Sequence, residues 1–292
     1  MMSFNWIGKS TDGKTITLHR LEMDSMFKFA PAPHSDAIRT GAVLDVETTG
    51  LSHEQDQIIE VGIRKFKFNR DTGEVISLEA GYSAFQDPGV ALSEEIKILT
   101  GITDEMLKGQ SIDWTEVEKI LADCHVLIAH NASFDRPFVD AKTAVSAEKI
   151  WACSLRQVDW SRKGLPSQKL DVLSLYHGFF NDAHRALSDA DTLLYLLNQK
   201  DQKLGTPYLL ELITEARKPM VNVFANSAPF ETKDMLRERK YRWNPQEKVW
   251  SKKISKDDLD QEVEWLTENI YQGGFRGMTV DIPAKDQFKV RG

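Results

Sequence analysis

The sequence predicts an α/β fold, a mixed sheet flanked by helices, followed by a small α+β unit. Three observations lead there. Extended apolar segments at 41–48, 58–68 and 74–85 follow one another, and Asn69-Arg70-Asp71-Thr72-Gly73 joins the last two as a turn that closes an antiparallel hairpin. Helix-period and strand-period patterns then alternate, as in sheets covered by helices. Beyond a boundary marked by Gly and Pro, the segments 220–224, 231–239, 241–243, 249–254, 257–271 and 278–282 read as βαββαβ, a ferredoxin-like order.

At 292 residues the chain exceeds the usual size of one domain. The expected division is an N-terminal extension at 1–40, a main domain at 41–204, a linker at 205–219 and a small domain at 220–292. The extension looks peripheral, with a hairpin around Thr11-Asp12-Gly13 and a connector at Pro31-Ala32-Pro33. It carries no functional signal.

The strand at 41–48 holds the most informative pair. Side chains alternate along a strand, so Asp45 and Glu47 project from one face. Two carboxylates on one face of a buried strand repel unless a cation lies between them, and Mg²⁺ needs only one or two carboxylates. The alternative is a solvated edge strand that carries two acids. Helical patterns follow at 93–99, 114–122, 134–145 and 170–177, with a further strand at 125–129. That strand runs through the polar break His130-Asn131 into a helix whose first turn holds Asp135. The segment from His184 to Asp191 opens another helix that continues to Leu197. Asp189 and Asp191 stand roughly 200° apart on such a helix, so one at most faces any given site.

These segments together resemble the DEDDh family of 3′→5′ exonucleases, the enzymes similar to epsilon proofreading subunits. Asp45-Val46-Glu47-Thr48-Thr49-Gly50, then Asp135 near a helix start, then His184-Arg185-Ala186-Leu187-Ser188-Asp189 fill the family's pattern in order, and Thr100-Gly101-Ile102-Thr103 is similar to its Gly-Ile-Thr element. The resemblance covers about 41–200. It implies a ribonuclease-H-like sheet and hydrolysis of nucleic acid from single-stranded 3′ ends to nucleoside 5′-monophosphates; no motif separates DNA from RNA, and the separate basic domain leans the expectation toward DNA. It also implies two divalent ions, Mg²⁺ or Mn²⁺, with Asp45, Glu47, Asp135 and Asp189 as metal ligands and His184 as general base. His130 is a rival histidine without a base role in the family, and Asp191 is left for solvent. Thr48, Thr49 and Leu51 would cradle the terminal nucleotide. Phe134 could stack on a base or simply belong to the core, and Asn131 could bond backbone or substrate. The same chemistry would serve an RNA-directed enzyme, or a proofreading or repair subunit with a polymerase or helicase partner.

Composition sets the remaining bounds. Hydrophobic residues at 41% and charged residues at 28% suit a soluble globular protein. No apolar run reaches membrane-spanning length, and the start of the chain lacks a signal-peptide pattern. Cys124 and Cys153 give neither a disulfide framework nor a zinc pattern, which points to a reducing, cytoplasmic setting. A net charge of −7 argues against a protein that coats nucleic acid, though not against a nuclease, whose cations reverse the local sign. Segment 233–256 differs, with nine Lys/Arg against three acids interleaved with Tyr241, Trp243 and Trp250. Those aromatics could form a single-stranded nucleic-acid platform or pack a hairpin, so the small domain is a candidate for nucleic-acid or partner binding.

Overall fold

The alternating residues of 38–85 fold into three long antiparallel strands, β2 (Ile38–Thr48), β3 (Ile58–Asn69) and β4 (Val75–Phe85). A short strand, β1 (His19–Arg20), precedes them and pairs in parallel with β7 (Phe179–Phe180). The structure, a computed structural model, describes residues 4–182 and 184–290. Two strands add in parallel beyond β2, β5 (Val126–Ala129) and β6 (Ile150–Cys153), giving the order β4-β3-β2-β5-β6. This mixed five-stranded sheet, covered by helices on both faces, is the expected ribonuclease-H-like class, and β2 is its middle strand.

Side-chain alternation divides the core. Ala42, Leu44 and Val46 of β2 join Val61 and Ile63 of β3 in a cluster with Val117, Leu121 and Phe138 from two helices. Val43 faces the other way, into a cluster with Phe66, Phe68, Leu193, Leu194 and Leu197. Helix ends are fixed locally. Asp113 caps Trp114–Ala122 by accepting from the N–H groups of Thr115 and Glu116 at 2.9 and 3.1 Å, and Gly101, at φ 68°, ends Glu94–Thr100 in a left-handed turn. Among the described residues no helix is long and apolar enough to cross a membrane.

Three expectations need correction. The segment 1–40 is not peripheral, because Phe4, Leu21 and Phe27 are buried in the core cluster that holds Val43, and Trp6 stacks on Tyr176 at 3.7 Å between ring centres. Of that segment, residues 1–3 lie outside the described residues. The stretch 205–219 is not simply a linker. It contains the helix Tyr208–Arg217, whose Tyr208, Leu209, Leu212, Ile213 and Ala216 are buried at helical spacing in the same core. The helix expected at 134–145 is two, Ala132–Asp140 and Ala144–Ala147, because Thr143 caps the second by accepting from Val145 N–H at 3.2 Å.

Contacts divide the chain into Met1–Ala216 with Phe288–Gly292, and Arg217–Gln287. The second unit has β8 (Met220–Ala225), β9 (Arg242–Asn244), β10 (Val249–Ser255) and β11 (Met278–Ile282), with helices Lys233–Glu238 and Leu259–Leu266. The strands are antiparallel in the order β11-β8-β10-β9. That is fourth, first, third, second within the unit, the ferredoxin-like arrangement. Val221, Val223 and Ala225 of β8 meet Leu236, Leu266 and Ile270 in its own core.

Candidate active site

Asp45 and Glu47 lie two residues apart near the end of β2, on the face of Val43 and therefore toward the helix Ala186–Asn198, which packs on β2 and β3. Just beyond, the pairing of β2 with β3 shifts, from Glu47 opposite Glu60 to Thr48 opposite Ile58. A bulge of this kind turns the chain and re-aims side chains at a strand end. Asp135 arrives from the helix after β5. It is buried, and its Oδ1 accepts from the Val46 N–H at 3.3 Å. His184 stands before its helix in the left-handed region at φ 64°, an uncommon conformation for a side-chain-bearing residue, and its N–H donates to Asp189 Oδ2 at 2.9 Å. Potential ligand atoms of Glu47, His184 and Asp189 all lie within 4.8 Å of one another. The structure thus brings the five residues to one end of the middle strand.

Charge crowds this place. Burial, then the charges of Asp135, Asp189, Glu47 and Glu60, holds the Asp45 carboxyl well above the usual carboxylate range. Glu47 is pushed up to about 8 by burial and by Asp189, Glu60 and Asp135, with Arg185 opposing. Burial raises Asp135 to about 7 against the hydrogen bond from Val46, and raises Asp189 to about 6 against the backbone and charge of His184. Four acids that each resist ionisation form an all-oxygen donor set matched to a hard divalent cation, with the imidazole beside it.

Sequence reasoning missed the frame that holds this arrangement. Three successive positions of β3 on the same face, Glu60, Gly62 and Arg64, each grip the helix that carries Asp189. Glu60, 1% exposed, accepts from Arg185 at 3.1–3.3 Å and from the Ala186 N–H at 3.2 Å. Gly62 lets the helix backbone at Ala186 and Leu187 come close. Arg64 clasps Asp191 through two bonds of 2.6 and 2.8 Å. Asp191 is therefore buried and ion-paired, not solvated as expected. The 200° separation from Asp189 turns it toward β3 rather than toward water. One available signal was Glu60 itself, an isolated acid in the apolar run Ile58-Ile59-Glu60-Val61-Gly62-Ile63.

The remaining candidates fall around the same strand end. Thr48 is buried, with its hydroxyl donating to Gly50 O at 2.6 Å; Thr49 donates to Asp56 Oδ1 at 3.1 Å. Leu51 is 87% exposed. Asn131 has a buried Oδ1 without a hydrogen-bond partner. Phe134 packs partly on Phe138, ring centres 5.2 Å apart, which supports its core role. His130 is tied down by Ser154 Oγ at 2.7 Å and Gln168 O at 2.8 Å, and burial lowers its pKa.

A ribonuclease-H-like sheet with this acidic end defines a DEDD-type 3′→5′ exonuclease. The profile of the Exonuclease family matches residues 42–197, over half of the chain, and the chain belongs to that family. Similar curated proteins include the PolC-type DNA polymerase III of Listeria monocytogenes, 39% identical over 164 residues, and that of Staphylococcus saprophyticus, 42% over 174; each match covers 54% of this chain. The chain spans only 11% of either relative's length. Among solved structures, E. coli Exonuclease I in complex with a dA16 oligonucleotide aligns at TM-score 0.52 and 14% identity, covering 79% of this chain and 71% of that one. The zinc-bound E. coli ExoI–ssDNA complex also gives 0.52, at 13% identity, covering 74% and 63%. These structures share the fold.

Proposed function

We propose that the protein is a metal-dependent exonuclease that trims single-stranded DNA from its 3′ end and releases nucleoside 5′-monophosphates. The gathering of Glu47, His184 and Asp189 within 4.8 Å, beside Asp45 and Asp135, carries this reading. The donor set fits two Mg²⁺ or Mn²⁺ ions, with Asp45, Glu47, Asp135 and Asp189 as their ligands; when bound, such ions neutralise phosphate charge and make water more acidic. A ring nitrogen of His184 takes the proton of the attacking water. Its exposed position lets the proton pass on to solvent, and the bond from its N–H to Asp189 orients the ring's backbone. Thr48, Thr49 and Leu51 hold the terminal nucleotide at the bulge. Asn131, half-buried as a residue, bonds a substrate hydroxyl, and Phe134, also half-buried, meets a base with the part of its ring that the core leaves uncovered.

The catalytic work falls to the nuclease segment 41–204, completed by the flanking pieces that share its core. The similarity to PolC-type polymerases favours a second reading, in which the same chemistry proofreads or repairs ends beside a polymerase in the cytoplasm. The test is a time course on 5′-labelled single-stranded DNA and matched RNA, with Mg²⁺, Mn²⁺ or EDTA, beside Asp45→Ala. A metal-dependent ladder shortening from the 3′ end, absent in the variant, is expected. Substrates left intact with both metals would refute the reading, and a ladder on RNA alone would refute the DNA preference.

A further inference from the structure

In the second unit Trp250 pairs across the sheet with Ala225 on one side and Trp243 on the other. Ala225 belongs to the face that the helices cover, so both tryptophans continue that face outward to the edge strand β9. Trp250 reaches the core, whereas Trp243, with its ring 5.6 Å away, is 48% exposed. Facing them across a cleft is Phe230, 74% exposed, with the Lys233 ammonium 4.1 Å from its ring centre. The cleft measures about 390 Å³, within the roughly 300–1,000 Å³ of sites that hold a small ligand. Lys233, Arg237 and Lys248 line it and no carboxylate does, although Asp234 pairs with Arg237 at 2.7 Å.

Two requirements converge on one class of ligand. The lining cations select a polyanion, while the two exposed aromatic rings select flat rings, and together these describe unstacked bases on a phosphate backbone. A duplex keeps its base faces inside its own stack and offers nothing to Trp243. An acidic peptide satisfies the cations and leaves the rings unused. We infer that the cleft between the Lys233–Glu238 helix and the β9–β10 hairpin binds single-stranded nucleic acid, stacking bases on Trp243 and Phe230 and taking phosphates on Lys233, Lys248 and Arg237. The site lies wholly within the second unit and does not depend on the exonuclease chemistry.

Binding of the full-length chain to fluorescein-labelled dT25, rU25 and a 25-base-pair duplex, followed by anisotropy in EDTA, tests this. EDTA withholds the divalent ions that cleavage would need, so the strand stays intact while binding is read. Single strands are expected to bind in preference to duplex, weakening as salt rises. Trp243→Ala should weaken them roughly 5- to 150-fold, the effect of losing one stacked base, and Trp243→Phe should restore most of it. Lys248→Glu should weaken single-strand binding and flatten its salt dependence. Equal binding by wild type, Trp243→Ala and Lys248→Glu, or a duplex bound as tightly as a single strand, would overturn the assignment. Displacement of dT25 by poly-glutamate as readily as by unlabelled dT25 would overturn it in favour of an acidic protein partner. A chain that binds and never cleaves would refute the exonuclease reading alone.

Discussion

Replacing Gly62 with Ala tests whether the approach of the helix to β3 sets the catalytic geometry. A Cβ at this position would lie 2.0 Å from Leu187 N, 2.2 Å from Ala186 C and 2.4 Å from Leu187 Cα, whereas ordinary contact begins at 3.4 Å. The obstacles are backbone atoms, so no side chain can rotate away. Strand and helix must separate by about 1.4 Å, the difference between 3.4 and 2.0 Å. Overpacking of this kind costs about 1–3 kcal/mol, a fall of roughly 2–12 °C in Tm for a unit of this size. The rate should suffer more. The displaced turn follows His184 and contains Asp189, while Glu47 stays on the sheet, and a 1 Å misplacement is worth about 10²-fold. Thermal melts and exonuclease rates at saturating Mg²⁺ measure both effects, with Gly274→Ala, where nothing lies within 4 Å, as the neutral control. Gly62→Ala with wild-type melting and rate would refute the reasoning. A lowered Tm with an intact rate would show that the helix position does not govern the site.

Three further outcomes are expected. Arg64→Met strands the buried Asp191 carboxylate and should lower stability in urea by about 3–5 kcal/mol; the double variant with Asp191→Leu should recover most of that loss, and a loss below about 1 kcal/mol would contradict the burial argument. In EDTA, Glu47, Asp135 and Asp189, raised to about 8, 7 and 6, keep protons that the unfolded chain gives up near pH 4, so stability is full below that pH and declines as pH rises through 6 to 8. Melts should therefore fall between pH 5.5 and 8.5 in EDTA, and rise at pH 8.5 on adding Mg²⁺ or in Asp45→Asn; a flat profile would count against the crowding of acids. His184→Ala should lower kcat roughly 10²–10⁴-fold with metal dependence retained, and single-turnover rates equal to wild type would remove His184 as the base.

What could be read in advance was whatever neighbouring residues determine. The common face of Asp45 and Glu47 follows from strand alternation alone, and the ferredoxin-like order of the second unit follows from its alternating periods. The frame behind the site could not be read the same way, because its pairs are distant. Glu60 and Arg185 are 125 residues apart and Arg64 and Asp191 are 127 apart, so nothing local announces that each pair will meet. For Asp191 the angle was right and the surroundings were not, since periodicity says which way a side chain points but not what waits there. Pro207 and Pro219 are breakers on either side of the apolar repeat of Tyr208–Arg217, and breakers so close together imitate a linker. Phe4 and Phe27 looked incidental because their partners, Tyr176, His177 and Tyr195, come far later in the chain.

Glu60 sits directly across the sheet from Glu47, and the cation that balances it, Arg185, is the residue next to His184. The histidine's segment thus carries its own anchor. If it swings away, Arg185 leaves too, Glu60 stays behind as a lone buried charge, and the repulsion on Glu47 grows. Opening is penalised twice, once by the stranded acid and once by the acid it faces. A residue held in a disfavoured backbone conformation, as His184 is, needs something to keep it there; the ion pair on its neighbour acts as a return spring anchored in the strand beneath.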